Sequence, residues 1–267
     1  MRRHLGYTLR CARRVLPAFL VALGALGVWE LYVDLGGVNS ALLPAPHEIA
    51  TELWRNGALL WTNFAITAEE VVLGLLLALV GGFLLGVAIH LSPLLRRGIY
   101  PHAVGSQAVP IAVISPLLVF WWGFGVFPKL FVIALICFFP VVVTTVDALA
   151  AVDPEQLKLL RTFDASRWQV FRFAELPAAM PAAISGARIA LAVGVIGAYI
   201  AETSTATTGP YAGLGREIVT DLNVLATARA YAAATVLFAF AVACFYALTL
   251  AERRLVPQTN PPRGARP

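Results

Sequence analysis

The stretch ITAEEVVLGLLLALVGGFLLGVAIH, residues 66–90, carries two carboxylates at its start and then no Asp, Glu, Lys or Arg from Val71 to His90. An α-helix rises about 1.5 Å per residue, so an uncharged run of this length crosses the roughly 30 Å hydrocarbon core of a bilayer. Its apolar residues are contiguous and do not alternate with polar ones, which excludes an outer-membrane barrel strand. Similar runs at about 15–35, 100–122, 129–148, 182–201 and 230–250 bring the expected spans to about six. Composition agrees. With 59% hydrophobic and 13% charged residues over 267 positions, and a mean hydropathy of +0.78, too few charges are present to coat a water-soluble globule. The run at 15–35 follows Arg2, Arg3, Arg10, Arg13 and Arg14 but is long and lacks a small-x-small cleavage site, so it reads as a retained span.

The distribution of Lys and Arg tests this topology, because hydropathy played no part in placing them. With the N-terminus inside, fifteen fall in cytoplasmic segments: the five above, Arg96, Arg97, Lys158, Arg161, Arg167, Arg172, Arg253, Arg254, Arg263 and Arg266. Only Arg55, Lys129, Arg216 and Arg229 lie opposite, and Arg188 sits at the cytoplasmic end of the fifth span. The net charge of +5 is therefore a matter of topology and calls for no nucleic-acid partner. The expected organisation is a basic N-terminus at 1–14, a transmembrane domain at 15–255 and a cytoplasmic tail at 256–267. Cys11, Cys137 and Cys244 are scattered and odd in number, and His4, His47, His90 and His102 show no ligand spacing, so no disulfide and no metal site is expected.

Between the first two spans, PHEIATELW (46–54) reads as a short interfacial helix opened by proline, with Trp54 and Trp61 as belt aromatics. Glu69, Glu70 and Glu202 lie near the extracytoplasmic ends of their spans and read as interfacial carboxylates. In the third span His102, Ser106, Gln107, Pro110, Ser115 and Pro116 are polar or helix-breaking. Of these, Ser106, Gln107, Pro110 and Ser115 are candidates for lining a translocation pathway, since proline frees backbone groups inside the membrane.

The informative departure is the polar stretch at 149–181, which runs AAVDPEQLKLLRTFDASRWQVFRFAELPAAMP from residue 150. It is far longer than a connection between two spans requires. Asp153 can cap a helix whose first residue is Pro154, on which Leu157, Leu160 and Phe163 recur at three-residue spacing. Asp164-Ala165-Ser166 breaks that helix, and a second follows with Trp168 and Phe171 on one side. The Leu176-Pro177 pair disfavours helix at Leu176, and Pro181 suits the first turn of the next span. The expectation is a helix-turn-helix lying on the cytoplasmic face.

Within it, LLRTFDASRWQVFRFAELP (159–177) resembles the cytoplasmic loop of binding-protein-dependent ABC importer permeases, whose pattern runs roughly E-A-A-x-x-x-G, nine residues, then I-x-L-P. Arg161, Thr162, Ala165, Ser166, Arg167, Trp168, Gln169, Leu176 and Pro177 fit the branch that imports sulfonates, nitrate, taurine and pyrimidine precursors. Two positions depart: Lys158 stands where the pattern has Glu, and Asp164 stands where it has Gly. Aspartate is among the few residues that adopt a left-handed turn at modest cost. Further matches lie at LLPAPHEI (42–49), ISPLLVFWWGFG (114–125), FFPVVV (138–143), SGARIAL (185–191), AYIAE (198–202) and GLG (213–215).

The resemblance implies an all-α integral membrane protein of the type I ABC importer permease fold, with both termini cytoplasmic, in a bacterial inner membrane. It implies a dimer of ATPase subunits, an extracytoplasmic substrate-binding protein and a second copy of the chain as partners. The loop would act as the coupling element, with Leu160, Arg161, Phe163, Asp164, Ala165, Ser166, Arg167, Trp168, Phe171, Leu176 and Pro177 at the ATPase. No G-x-x-x-x-G-K-[ST] loop occurs, so ATP and Mg belong to the partner and no cofactor is expected on this chain. GSQAVPIAVISPLL (105–118), KLLRT (158–162) and AELP (174–177) look more like permeases for thiamine-pyrimidine precursors or riboflavin than like the sulfonate, taurine and nitrate group. A solitary carrier should show repeat symmetry, and a membrane enzyme should cluster His, Asp or Glu at one face; neither pattern is seen.

Overall fold

A computed structural model describes residues 2–204 and 212–255; the expected tail at 256–267 lies outside them. The chain is helical. Among the described residues, four helices are long and apolar enough to span a membrane: α3 (Gly57–Leu91), α7 (Val126–Ala150), the Ala183–Ser204 part of α10 (Leu176–Ser204) and the Thr227–Ala251 part of α12 (Thr227–Leu255). The first expected run lies within α1 (Arg2–Gly36).

The third expected span is broken. α4 (Pro93–Gly98), α5 (Tyr100–Gly105) and a 3-10 turn at Ser106–Ala108 are bent by 100° from α6 (Ile111–Trp122). Val109 is extended at φ −77° and ψ 124°, as a residue before proline prefers, and Pro110 has no N–H to continue the ladder. Pro116, by contrast, stays inside α6.

The chain forms two compact units. One comprises residues up to Trp61 together with 217–235. Here α2 (Pro46–Arg55) begins at the expected proline, with Glu48 accepting a hydrogen bond from the Ala45 N–H at 2.9 Å. His47 Nδ1 lies 2.5 Å from Glu30 Oε1, and Asp34 is close by. That grouping is invisible in the spacing of the histidines along the chain. The hydrogen bond to Glu30, helped by its charge, raises the pKa of His47 above the usual imidazole value. In the same unit, Arg229 Nε donates to the buried Asp221 at 2.8 Å, and the Thr227 hydroxyl donates to the Ala41 carbonyl at 2.7 Å.

The second unit, 62–216 with residues from 236 onward, holds the main core. Val71, Leu75 and Ala78 of α3 meet Ile133, Cys137 and Val141 of α7 and Ala190, Leu191, Val195 and Ala198 of α10. Leu237, Phe240, Ala241, Cys244 and Leu248 of α12 pack against this cluster. The helices approach very closely. A Cβ on Gly74 would lie 2.6 Å from Ile133 Cγ2, and one on Gly86 would lie 2.7 Å from Thr145 Cβ, so α3 fits α7 only with glycine there. Such small-residue contacts are how helices associate where lipid removes the hydrophobic drive.

One expectation is corrected. Glu69 is exposed, but Glu70 and Glu202 are buried at 2% and 0% exposure, as is Lys129 at 0%. Lys129 Nζ donates to Glu70 Oε1 at 2.8 Å, tying α7 to α3. Glu202 Oε1 accepts from the Thr67 hydroxyl at 2.6 Å, and the Gly215 N–H donates to Glu202 Oε2 at 2.5 Å. The Leu214 N–H donates to Thr67 Oγ1 at 2.8 Å, which brings the start of α11 (Gly213–Asn223) into the same network. A Cβ on Gly215 would sit 2.7 Å from that carboxylate, so the glycine of GLG makes room for the glutamate of AYIAE. Nearness to a span end suggested water for these carboxylates; a cation and backbone donors far away in sequence bury them instead.

Replacing Lys129 by Ala leaves the buried Glu70 without this cation, and loss of one partner of a buried pair costs about 3–5 kcal/mol. Titrating the detergent-solubilised protein with a denaturing detergent should show that loss, and an unshifted unfolding midpoint would refute the role assigned to Lys129.

Candidate coupling hairpin and membrane cavity

The stretch at 149–181 folds by local rules that can be followed residue by residue. Asp153 caps α8 (Pro154–Thr162), its Oδ1 accepting from the Glu155 N–H at 2.9 Å. The helix ends at Phe163. There the Asp164 N–H reaches the Arg161 carbonyl at 3.1 Å and the Ala165 N–H reaches the Leu160 carbonyl at 3.2 Å, with Asp164 left-handed at φ 51°. This is a Schellman ending, in which the left-handed position is usually glycine. Asp164, the departure from the family pattern, thus occupies the site where aspartate is a tolerated substitute. Ser166 then caps α9 (Arg167–Val170) reciprocally: its Oγ accepts from the Gln169 N–H at 3.3 Å, and Gln169 Oε1 accepts from the Ser166 N–H at 2.7 Å.

The expected interruption at Leu176-Pro177 is absent. The chain stays helical through a π-turn at Phe171–Glu175 into α10, with the Leu176 N–H bonded to the Phe171 carbonyl. The wider turn accommodates a residue that cannot donate, and Pro177 follows directly after it. Pro181 likewise lies within α10 and not at its first turn.

The expected site residues divide by burial. Phe171 is only 4% exposed and packs with Ala148, Leu149 and Ala179, so it belongs to the chain's own core. Leu160, Ala165 and Leu176 are half-buried. Phe163 at 75% and Trp168 at 60% are exposed, as are Arg161, Asp164, Ser166, Arg167 and Pro177. Leu159 and Phe173, not anticipated as site residues, are also exposed. Their missed signal is the length of the apolar pattern, which extends beyond a single three-residue repeat. Trp168 lies over Phe171 with ring centroids 5.3 Å apart. The hairpin thus exposes Leu159, Phe163, Trp168 and Phe173 beside the exposed Arg161, Arg167 and Arg172, an unusual amount of large apolar surface for so short a stretch. A second unanticipated contact sits at its root: His90 Nε2 of α3 lies 2.9 Å from Glu175 Oε2.

Of the pathway candidates, Ser106 and Gln107 line a cavity of about 170 Å³ with Val109, Ile111, Ile136 and Pro140 among its walls. Pro110 makes the break beside it. Ser115 is fully buried, and its hydroxyl finds no hydrogen-bond partner among the described residues. His102 Nδ1, on α5, lies 2.8 Å from the Gly98 carbonyl at the end of α4.

Asp164→Gly should leave the hairpin intact or slightly firmer, whereas Asp164→Val should destabilise its turn by about 1–2 kcal/mol, because a branched side chain resists the left-handed region. Hydrogen exchange at 160–166 reads the difference, and equal protection in both variants would remove the significance given to this turn.

The model of the family described as binding-protein-dependent transport system inner membrane component matches residues 71–258. A probable ABC transporter permease of Haemophilus influenzae is 34% identical, covering 71% of this chain and 77% of its own. The formylaminopyrimidine transport permease of Halalkalibacterium halodurans is 31% identical over 66% of this chain and 70% of its own, and the taurine transport permease of Escherichia coli is 30% identical over 87% and 86%. Among solved structures, the inward-facing MetNI methionine ABC transporter aligns with a TM-score of 0.57 at 16% identity, over 80% of this chain and 96% of that one, a likeness of fold. The helical bundle, the hairpin between α7 and α10 and these matches identify the chain as a multi-pass ABC importer permease subunit, a member of the binding-protein-dependent transport system inner membrane component family.

Proposed function

We propose that this permease works in a bacterial cytoplasmic membrane with a separate ATPase dimer, an extracytoplasmic substrate-binding protein and a second copy of itself. ATP and Mg sit on the ATPase, and the chain contributes the pathway and the hairpin that receives the ATPase's motion. The observation that carries this reading is the placement of Leu159, Phe163, Trp168 and Phe173 in solvent on a hairpin whose base is buried in the bundle. A surface-lying hairpin that only touched lipid would not need that base.

The cargo we favour is a thiamine-pyrimidine precursor or riboflavin. Two observations support it: the likeness at 105–118, 158–162 and 174–177, and relatives named as formylaminopyrimidine and riboflavin permeases at 31% and 30% identity. Relatives named for taurine and aliphatic sulfonates favour the second reading, an importer of small sulfonates.

Phe163→Ala with Trp168→Ala should weaken ATPase retention in co-purification by about tenfold or more, the scale of losing buried aromatic anchors. Phe171→Ala should instead lower the stability of the bundle by about 3–5 kcal/mol. Undiminished ATPase binding by the double variant would sink the docking surface. For cargo, melting of the cognate binding protein should rise with pyrimidine precursors or riboflavin; a rise with taurine alone would reverse the order.

A further inference from the structure

The hairpin meets the bundle at two points. Phe171 is set among Ala148, Leu149 and Ala179, with Val87 and Leu91 of α3 packed alongside. Glu175, at the end of the π-turn, bonds His90 on the last turn of α3. Both side chains of that pair are nearly buried, at 12% and 14% exposure. The other ring nitrogen of His90 is buried without a partner among the described residues, so Glu175 is the group that holds the ring.

What lies beyond His90 gives the contact its consequence. α3 is a single helix from Gly57 to Leu91. Thr67 and Glu70, which hold Glu202 and Lys129, are twenty or more residues before His90, or about 30–35 Å away along the axis. Between these ends α3 is locked to α7 by the contacts at Gly74 and Gly86, and at its outer end by the Lys129–Glu70 pair. Close-packed helices shift as bodies and do not deform smoothly. The π-turn is the irregular element of the connection, and the Glu175–His90 bond sits at its end.

We infer that His90 and Glu175 are positioning residues that pass displacement of the hairpin to α3, and that α3 with α7 carries it as one rigid body to the buried Glu70–Lys129–Glu202 network. The inference rests on the proposed docking of an ATPase at the hairpin. It names the entry point of the motion and the element that conveys it, and it gives the outer charge network a role in the same stroke.

The test uses the full complex of chain and ATPase in lipid nanodiscs, with Cys11, Cys137 and Cys244 replaced by Ala and an environment-sensitive fluorophore attached at Gln156→Cys on the hairpin or at Phe127→Cys at the outer start of α7. Trapping with ATP and vanadate should change both signals in the otherwise unsubstituted chain. In His90→Ala and in Glu175→Ala the signal at 156 should persist while that at 127 falls about fivefold or more, the range of a typical coupling free energy. His90→Gln, which can still donate to Glu175, should restore it, and that rescue separates loss of the bond from general damage to the fold. A full response at 127 in both alanine variants would overturn the inference while leaving ATPase docking intact. Absence of any ATP response at 156 in the unsubstituted chain would instead bring down the docking reading, and this inference with it.

Discussion

Helices surrounded by lipid gain little by hiding apolar side chains from it, so they must be held by close contact and by polar groups that have nowhere else to bond. The seam between α3 and α7 uses both. Gly74 and Gly86 let Ile133 and Thr145 come within distances no other residue would allow, and Lys129 is then close enough to bond Glu70. The two features depend on each other: without the close approach the ammonium would fall short, and without the ion pair a lysine could not sit fully buried in a membrane helix. α10 joins the same seam through Cys137, whose thiol donates to the Ala190 carbonyl at 3.1 Å, and through Glu202.

The hairpin side of the bundle repeats the arrangement in softer form. Tyr100 donates to Asp147 at 2.8 Å, fastening α5 to the end of α7, while Phe171 and Glu175 fasten the hairpin to α7 and α3. The hairpin itself is set by short-range rules: an Asp cap, a Schellman ending at Asp164 and a reciprocal Ser166–Gln169 cap. Local rules thus fix its shape and long-range contacts fix its root. A part so built can move as a unit and remain attached.

This division explains what could be read from the residues alone. The four long apolar helices, the proline-opened α2, the cap at Asp153 and the break at Asp164 are written in contiguous sequence, so hydropathy and capping chemistry located them. The break in the third span was legible as well, because Pro110 removes a donor, although its angle was not. The buried network was not legible. Glu70, Lys129, Glu202 and Gly215 meet only after four helices have come together, and none of them by itself signals a buried network. The same limit hid the burial of Phe171, since the spacing that pairs it with Trp168 does not say which ring faces the bundle. The π-turn was missed because Leu176-Pro177 signals a break under α-helical geometry and a wider turn evades the clash.

The cavity beside Pro110 is where the proposed pathway would meet this chain. Its lining offers the Ser106 hydroxyl and the Gln107 amide among apolar walls and, among the described residues, no charged side chain. Ser106 is turned to the Ala103 carbonyl at 2.8 Å, which leaves the amide as the more adaptable polar group. For the neutral heterocycle proposed as cargo, such a wall would supply a donor and an acceptor of the amide kind. Pro140, inside α7, lines the same cavity, and Pro110 sets the extended residue before α6 beside it. On the proposed reading, Gln107 is then the side chain of this wall that would meet a polar ring.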